Sequence, residues 1–321
     1  MMRRKSRLLA LALLLAPATA SHAQEAEAPP LPPVAAPADA PSSPEAERPL
    51  THVRPALWVV RDEDTTIYLF GTIHILRPDI AWFEGPVRAA FDAAQQVVIE
   101  VVAQPGDEQI MARRGMRLDG PALSTLLPPR HWRRYVDILR SHGMSADQLD
   151  HVKPWFASLF LSIAPLGGLG YSPESGVDVT IAAAAREAGK TLIGLETTEE
   201  QVGFFDTLPA DDQLAMLKST LDEIPKLGIT LEKMIAAWGR GDPDRLGPLV
   251  NETMGGSSLL EKRLLAERNA RWADWVKARL EQPGTVFMAV GAGHLAGNAS
   301  VQRLLQARGI RAELVDDTPA P

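Results

Sequence analysis

Two short segments near opposite ends of the chain share one pattern, Gly71-Thr72-Ile73-His74 and Gly291-Ala292-Gly293-His294. Each follows a run of apolar residues, Ile67-Tyr68-Leu69-Phe70 in the first case and Val286-Phe287-Met288-Ala289-Val290 in the second. Two carboxylates occupy equivalent places. Glu100 follows Gln96-Val97-Val98-Ile99, and Glu196 follows Thr191-Leu192-Ile193-Gly194-Leu195. Imidazole and carboxylate move protons, and where thiolates are absent they are the usual ligands of zinc, manganese or iron. An ion held by such a set would activate water and polarise a carbonyl. Taken singly, each residue has a plainer explanation. A histidine after a strand commonly pairs with backbone groups. A glutamate there commonly marks a helix start, and Glu196 precedes Thr197-Thr198-Glu199-Glu200, which resembles a capping box. Four such groups together point to a shared site, because buried charge is rare unless paired or functional.

The elements that position these residues follow from the apolar pattern. Short continuous apolar runs read as strands buried on both faces. If the four strands are parallel neighbours, their polar ends meet at one edge of the sheet, where open α/β sheets hold ligands. The glycine of each motif is expected to let the chain turn off its strand. Leu57-Trp58-Val59-Val60 and Thr65–Phe70 flank Arg61-Asp62-Glu63-Asp64, which reads as a hairpin. Helices are expected over 84–94, 131–140, 154–163, 177–188 and 300–308, with further helices over 198–280. A flexible or tight-turning loop is expected at 166–170 and a last short strand at 311–315. The fold class expected is α/β: a single domain of two related halves with a central sheet, a strand-end active site and large helical insertions.

Leu260, Leu264, Arg268, Trp272 and Val276 recur every fourth residue, so Arg268 lies on an otherwise apolar helical stripe. It either pairs with a carboxylate or reaches a cavity, where it could clamp a substrate carboxylate or stabilise an oxyanion. Asp178 opens an alanine-rich helix and reads as a charge favoured by the helix dipole. His131, His142 and His151 lack strand-end placement and read as surface or structural. Pro154 takes a first helical position, and Trp155 beside it reads as packing.

Residues 1–23 read as a secretory signal peptide. Arg3, Arg4, Lys5 and Arg7 precede a short apolar core, and small residues allow cleavage after Ala20 or Ala23. An uncleaved anchor is the alternative. Residues 24–55, rich in Pro, Ala and Glu, read as a disordered tether, since they hold too little apolar surface to offset ordering. The domain is expected over 56–316 and a tail over 317–321. The chain has no cysteine, hence no disulfide, no thiolate metal site and no lipobox. A periplasmic or secreted location is expected. The net charge is −7 with both signs interspersed, so no basic stripe speaks for nucleic acid. No later apolar run is long enough to cross a membrane.

The chain resembles the TraB/GumN family, whose animal relatives are the Tiki proteins. The resemblance is carried, in order, by Leu69–His74, Val97-Val98-Ile99-Glu100, Gly176-Val177-Asp178, Gly194-Leu195-Glu196-Thr197, Glu267-Arg268-Asn269 and Val290–Gly297. It implies a two-half α/β fold with paired Gly-x-x-His motifs, a Glu and an Arg at the active site. Tiki members are described as metal-dependent peptidases. By that resemblance His74, Glu100 and His294 are candidate metal ligands, with manganese, cobalt or zinc as the ion. Glu100, Glu196, Arg268 and Asn269 are candidate catalytic residues. The expected function is an exported metal-dependent hydrolase acting on a peptide or small-molecule substrate. Two alternatives stand beside it: a protein that binds a peptide or saccharide without turnover, and an accessory factor in exopolysaccharide production.

Overall fold

A computed structural model describes residues 51–117, 119–254 and 257–315. The expected signal peptide, the tether up to residue 50 and the tail lie outside the described residues. Among the described residues eight strands occur: β1 (Thr51–His52), β2 (Leu57–Arg61), β3 (Thr65–Thr72), β4 (Ile80–Ala81), β5 (Gln96–Val101), β6 (Thr191–Glu196), β7 (Gly284–Gly291) and β8 (Glu313–Leu314). Six of them form one mixed sheet in the order β6-β5-β7-β3-β2-β8. The β6-β5-β7-β3 portion is parallel, and β2 and β8 extend it antiparallel. The α/β class with a central sheet in a single domain is thus what the chain adopts.

Alternation along the parallel strands covers both faces. Phe70, Val97, Ile99, Phe287 and Ala289 join one core cluster. Ile67, Leu69, Val98, Val286, Met288 and Val290 join a second. Side chains of a strand alternate between faces, so continuous apolar runs serve two layers at once. The first face is covered by helices that include Val177–Glu187, the second by Glu267–Arg279 and Val301–Ala307. A third apolar cluster lies away from the sheet, where Pro129–Ser141, Pro154–Ile163 and Ala210–Glu223 pack together.

The hairpin of β2 and β3 forms as expected, with the Asp62 carboxylate accepting from the Asp64 and Thr65 amides in its turn. One sequence expectation needs correction. The end of the expected tether is ordered: β1 pairs in parallel with β4, and Val53 packs against the core. Two residues of backbone pairing leave no apolar signature to read. The 166–170 segment takes the tight-turning form of the two expected, a 3-10 turn over Ala164–Leu169 that ends at Gly170, whose φ is +79°. Of the two readings of His131, surface or structural, the structural one holds: it is buried, with its ring 3.4 Å from Asp222.

Candidate functional site

β3 and β7 are parallel neighbours in a register that pairs Gly71 with Val290 and Thr72 with Gly291. The two Gly-x-x-His segments therefore leave the sheet side by side. The motif glycine serves closeness rather than a turn through positive φ. A Cβ on Gly71 would lie 3.0 Å from both Cα and Cβ of Ala292. β5 and β6 bring Glu100 and Glu196 to the same edge, and all four predicted groups are almost fully buried there. Glu100 sits one residue inside β5 rather than beyond it.

Arg268 holds the centre of this edge and is fully buried. Its helix runs from Ser258, widens into a π-turn over Lys262–Ala266 and continues as Glu267–Arg279. Such wide turns gather at functional sites. The guanidinium Nε donates to both oxygens of Glu196 at 3.0 Å. Nη2 donates to Glu196 at 2.8 Å and to Glu100 at 2.5 Å. Nη1 donates to the Leu264 carbonyl at 3.1 Å and to Nε2 of His294 at 3.0 Å. A guanidinium has five N–H donors, and all of them are engaged. Trp272 and Phe204 flank the cation, 4.7 and 5.3 Å from their ring centroids. Of the two roles open to Arg268 from sequence, the geometry is that of the ion pair. No N–H is left for an oxyanion.

The two histidines differ in state. Nδ1 of His294 faces the Asn269 Oδ1 at 2.5 Å, and its Nε2 accepts from Arg268. Those partners assign a neutral imidazole with the proton on Nδ1. Burial pushes its pKa well below 6.5, with the charges of Arg268 and His74 acting in the same direction. Nδ1 of His74 instead lies 2.6 Å from Oδ1 of Asp178, and Nε2 is buried without a hydrogen-bond partner among the described residues. Burial alone would lower the His74 pKa. The charge and hydrogen bond of Asp178, helped by Glu100, outweigh that and raise it above 6.5.

Asp178 reaches His74 because Gly176 lets a helix start against the His74 backbone. A Cβ on Gly176 would stand 2.3 Å from the His74 carbonyl oxygen, and the Val177 amide donates to the Ile73 carbonyl at 2.9 Å. From sequence Asp178 reads as a dipole charge at a helix start, and the pairing with His74 does not follow from that. The signal available was Gly176-Val177-Asp178, whose glycine marks a close approach. Two further neighbours were also missed. Gln201 donates to Glu100 and Glu196, and half-exposed Arg271 donates to Glu196 at 3.0 Å. Asn269, a candidate catalytic residue from sequence, orients His294 and donates to the Ala299 carbonyl.

The donors expected to hold a metal are brought to one edge but are not open to an ion as a set. Nε2 of His294 is taken by Arg268. Glu100 accepts from Arg268 and Gln201 on one oxygen and from the Gly291 amide on the other. Among the described residues no group of three His, Asp or Glu stands ready to hold a metal. Only Nε2 of His74 keeps an unused coordinating atom among the three. The residues as arranged therefore fit an arginine-centred cluster and not a three-donor metal centre.

A cavity of about 100 Å³ opens beside His74, lined by Thr72, Glu100, Asp178 and small residues such as Ala182 and Ala289. Exposed Ala183 and Arg186 stand at its outer edge.

The chain is similar to several known proteins. YbaP of Escherichia coli (strain K12) is 25% identical over 78% of this chain and 92% of its own length. An uncharacterized Treponema pallidum (strain Nichols) protein is 22% identical over 81% of this chain and 82% of its own. The protein named Metalloprotease TIKI2 of Danio rerio is 26% identical over 77% of this chain, which spans 58% of that longer protein. No solved structure matches the chain. The model of the TraB/PrgY/gumN family matches residues 56–314, and the chain belongs to that family.

Proposed function

We propose that the chain is a hydrolase of peptide or amide bonds in which His74, oriented by Asp178, is the general base. The observation that carries this reading is the buried His74–Asp178 pair, with Nε2 left unpartnered beside a cavity at the strand ends. A carboxylate on Nδ1 fixes the ring and its tautomer and stabilises the imidazolium formed when Nε2 takes a proton. His74 would abstract a proton from water and return it to the leaving amine. The opposite pKa displacements of the two histidines suit a division of labour, one titrating and one held neutral. Arg268, Glu100 and Glu196 then act as the rigid charged floor of the site. The Tiki relatives, named metalloproteases, support a hydrolase. Residues 1–23, read as a signal peptide, would place the activity in the periplasm or outside the cell.

Dependence on a divalent ion is the second reading. It is favoured by the free Nε2 of His74 close to Glu100, and it requires Arg268 to withdraw from His294 and Glu100.

The test is hydrolysis of a peptide library by the purified protein, after dialysis against chelator and with manganese, cobalt or zinc added. Turnover is expected in the wild type and is expected to be lost in His74→Ala and Asp178→Asn. Full activity in both variants would sink the dyad. Activity that vanishes on chelation and returns with one ion would install the second reading. Tight peptide binding without product would replace both by a binding protein.

A further inference from the structure

We propose that Thr72 is a catalytic residue of this site, its hydroxyl donating to the carbonyl oxygen of the bond that is cut. The inference rests on the hydrolase reading above.

Thr72 is the last residue of β3, two positions before His74, and is 1% exposed. Its Oγ1 is buried without a hydrogen-bond partner among the described residues. A threonine hydroxyl can donate one hydrogen bond and accept two, and leaving it unmet in the interior is costly. Buried polar atoms nearly always find partners, so an exception calls for an explanation. Thr72 and His74 line the same cavity, and His74 carries the second unpartnered atom there. The other buried polar groups of the lining are already engaged. Glu100 is held by Arg268, Gln201 and the Gly291 amide, and Asp178 by His74. The apolar lining adds no competing donor, and the remaining charged group of the lining, exposed Arg186, stands at the outer edge. A substrate carbonyl group entering this space therefore meets one free hydroxyl and one free imidazole nitrogen.

The position is rigid. Thr72 pairs with Gly291 in the parallel ladder, and the preceding Gly71 is wedged against Ala292. A donor held so that it need not reorganise during reaction is what stabilises developing charge. Arg268 cannot supply this function, since its five N–H groups are spent. In the reaction, a water oxygen attacks the carbonyl carbon while its proton passes to Nε2 of His74. The carbonyl π pair moves onto oxygen, which takes the Thr72 hydrogen bond. When that pair returns, the C–N bond breaks and the nitrogen receives the proton from Nε2. Peptide and water give acid and amine, with no other reactant.

The test compares Thr72→Val and Thr72→Ser with wild type, reading kcat, KM and the thermal midpoint. Valine keeps the shape and removes only the hydroxyl. Loss of an oxyanion donor commonly lowers kcat by about 10²- to 10³-fold, so a fall of that order is expected in Thr72→Val. KM is expected to hold, and the thermal midpoint is expected to hold or rise, because an unpaired hydroxyl is removed. Thr72→Ser is expected to retain most of the rate. Undiminished kcat in Thr72→Val, with His74→Ala inactive, overturns the Thr72 role and leaves the hydrolase reading standing. Equal loss of rate and of folding in both variants also overturns it, in favour of packing. An inactive wild type removes both proposals together.

Discussion

At the residue scale the molecule turns on one buried cation. Arg268 meets two glutamates, a backbone carbonyl and a neutral imidazole, and each of those groups depends on it in return. A buried ion pair is weak evidence of net stabilisation, because desolvation offsets much of the attraction. Breaking one is a different matter. Arg268→Met would leave Glu100 and Glu196 buried with only Gln201, half-exposed Arg271 and the Gly291 amide as partners. Removing one member of such a cluster costs about 3–5 kcal/mol, and urea unfolding of Arg268→Met is expected to show a loss of that size. Arg268→Lys is expected to fall in between, since an ammonium keeps the charge but cannot form the planar fork on Glu196. A loss below about 1 kcal/mol, the range of an exposed pair, would show that the cluster is not structural. The four-residue spacing in the sequence put Arg268 on the apolar stripe. It could not say which carboxylates lay opposite, because Glu196 and Glu100 come from strands 72 and 168 residues away.

At the scale of elements, the four parallel strands were legible because each is a short apolar run ending in one polar group. Their convergence followed from assuming that they are neighbours, and the order β6-β5-β7-β3 makes them so. Less was legible where an element carries no periodic signal. β1 has two residues, and the π-turn before Arg268 uses ordinary helix formers. Asp178 was read by its place on its own helix, whereas its role comes from what that helix start touches. Gly176 is the residue that permits this touch. Gly176→Ala would put a methyl 2.3 Å from the His74 carbonyl oxygen, a backbone atom that cannot rotate aside. The helix start must shift, and overpacking of this kind costs about 1–3 kcal/mol. The shift would also separate Asp178 from His74. Gly176→Ala is therefore expected to lower the melting temperature and to move the acid limb of kcat/KM to lower pH, as His74 loses the carboxylate that raises its pKa. A Gly176→Ala protein with unchanged melting temperature and pH profile would contradict the close approach.

At the scale of the whole molecule, the two motif histidines couple folding to pH with opposite signs. The raised His74 pKa means that the folded state binds its proton more tightly than the unfolded chain does. That contribution is complete below about pH 6.5, the ordinary histidine value, and is lost as pH rises through the folded pKa. The lowered His294 pKa works in reverse. Its contribution is complete above about pH 6.5 and is lost as pH falls below it, because the unfolded chain then gains a proton that the fold excludes. Each one-proton difference has a limiting slope of about 1.4 kcal/mol per pH unit. The two groups together predict a stability maximum near the ordinary histidine pKa, with a fall on either side. Chemical denaturation across this range should show it. Asp178→Asn should flatten the alkaline fall and leave most of the acid one, since the His294 shift comes first from burial and then from Arg268, with the His74 charge the smallest cause. A curve with no alkaline fall in the wild type, or one that Asp178→Asn leaves untouched, would mean that His74 does not hold its proton through Asp178. The case for a titrating base at the strand ends would go with it. The direction is informative because carboxylates alone cannot produce it. Carboxylates stabilised in the fold give stability that only rises with pH, so an alkaline decline beginning near the histidine range requires a group whose proton the folded state retains.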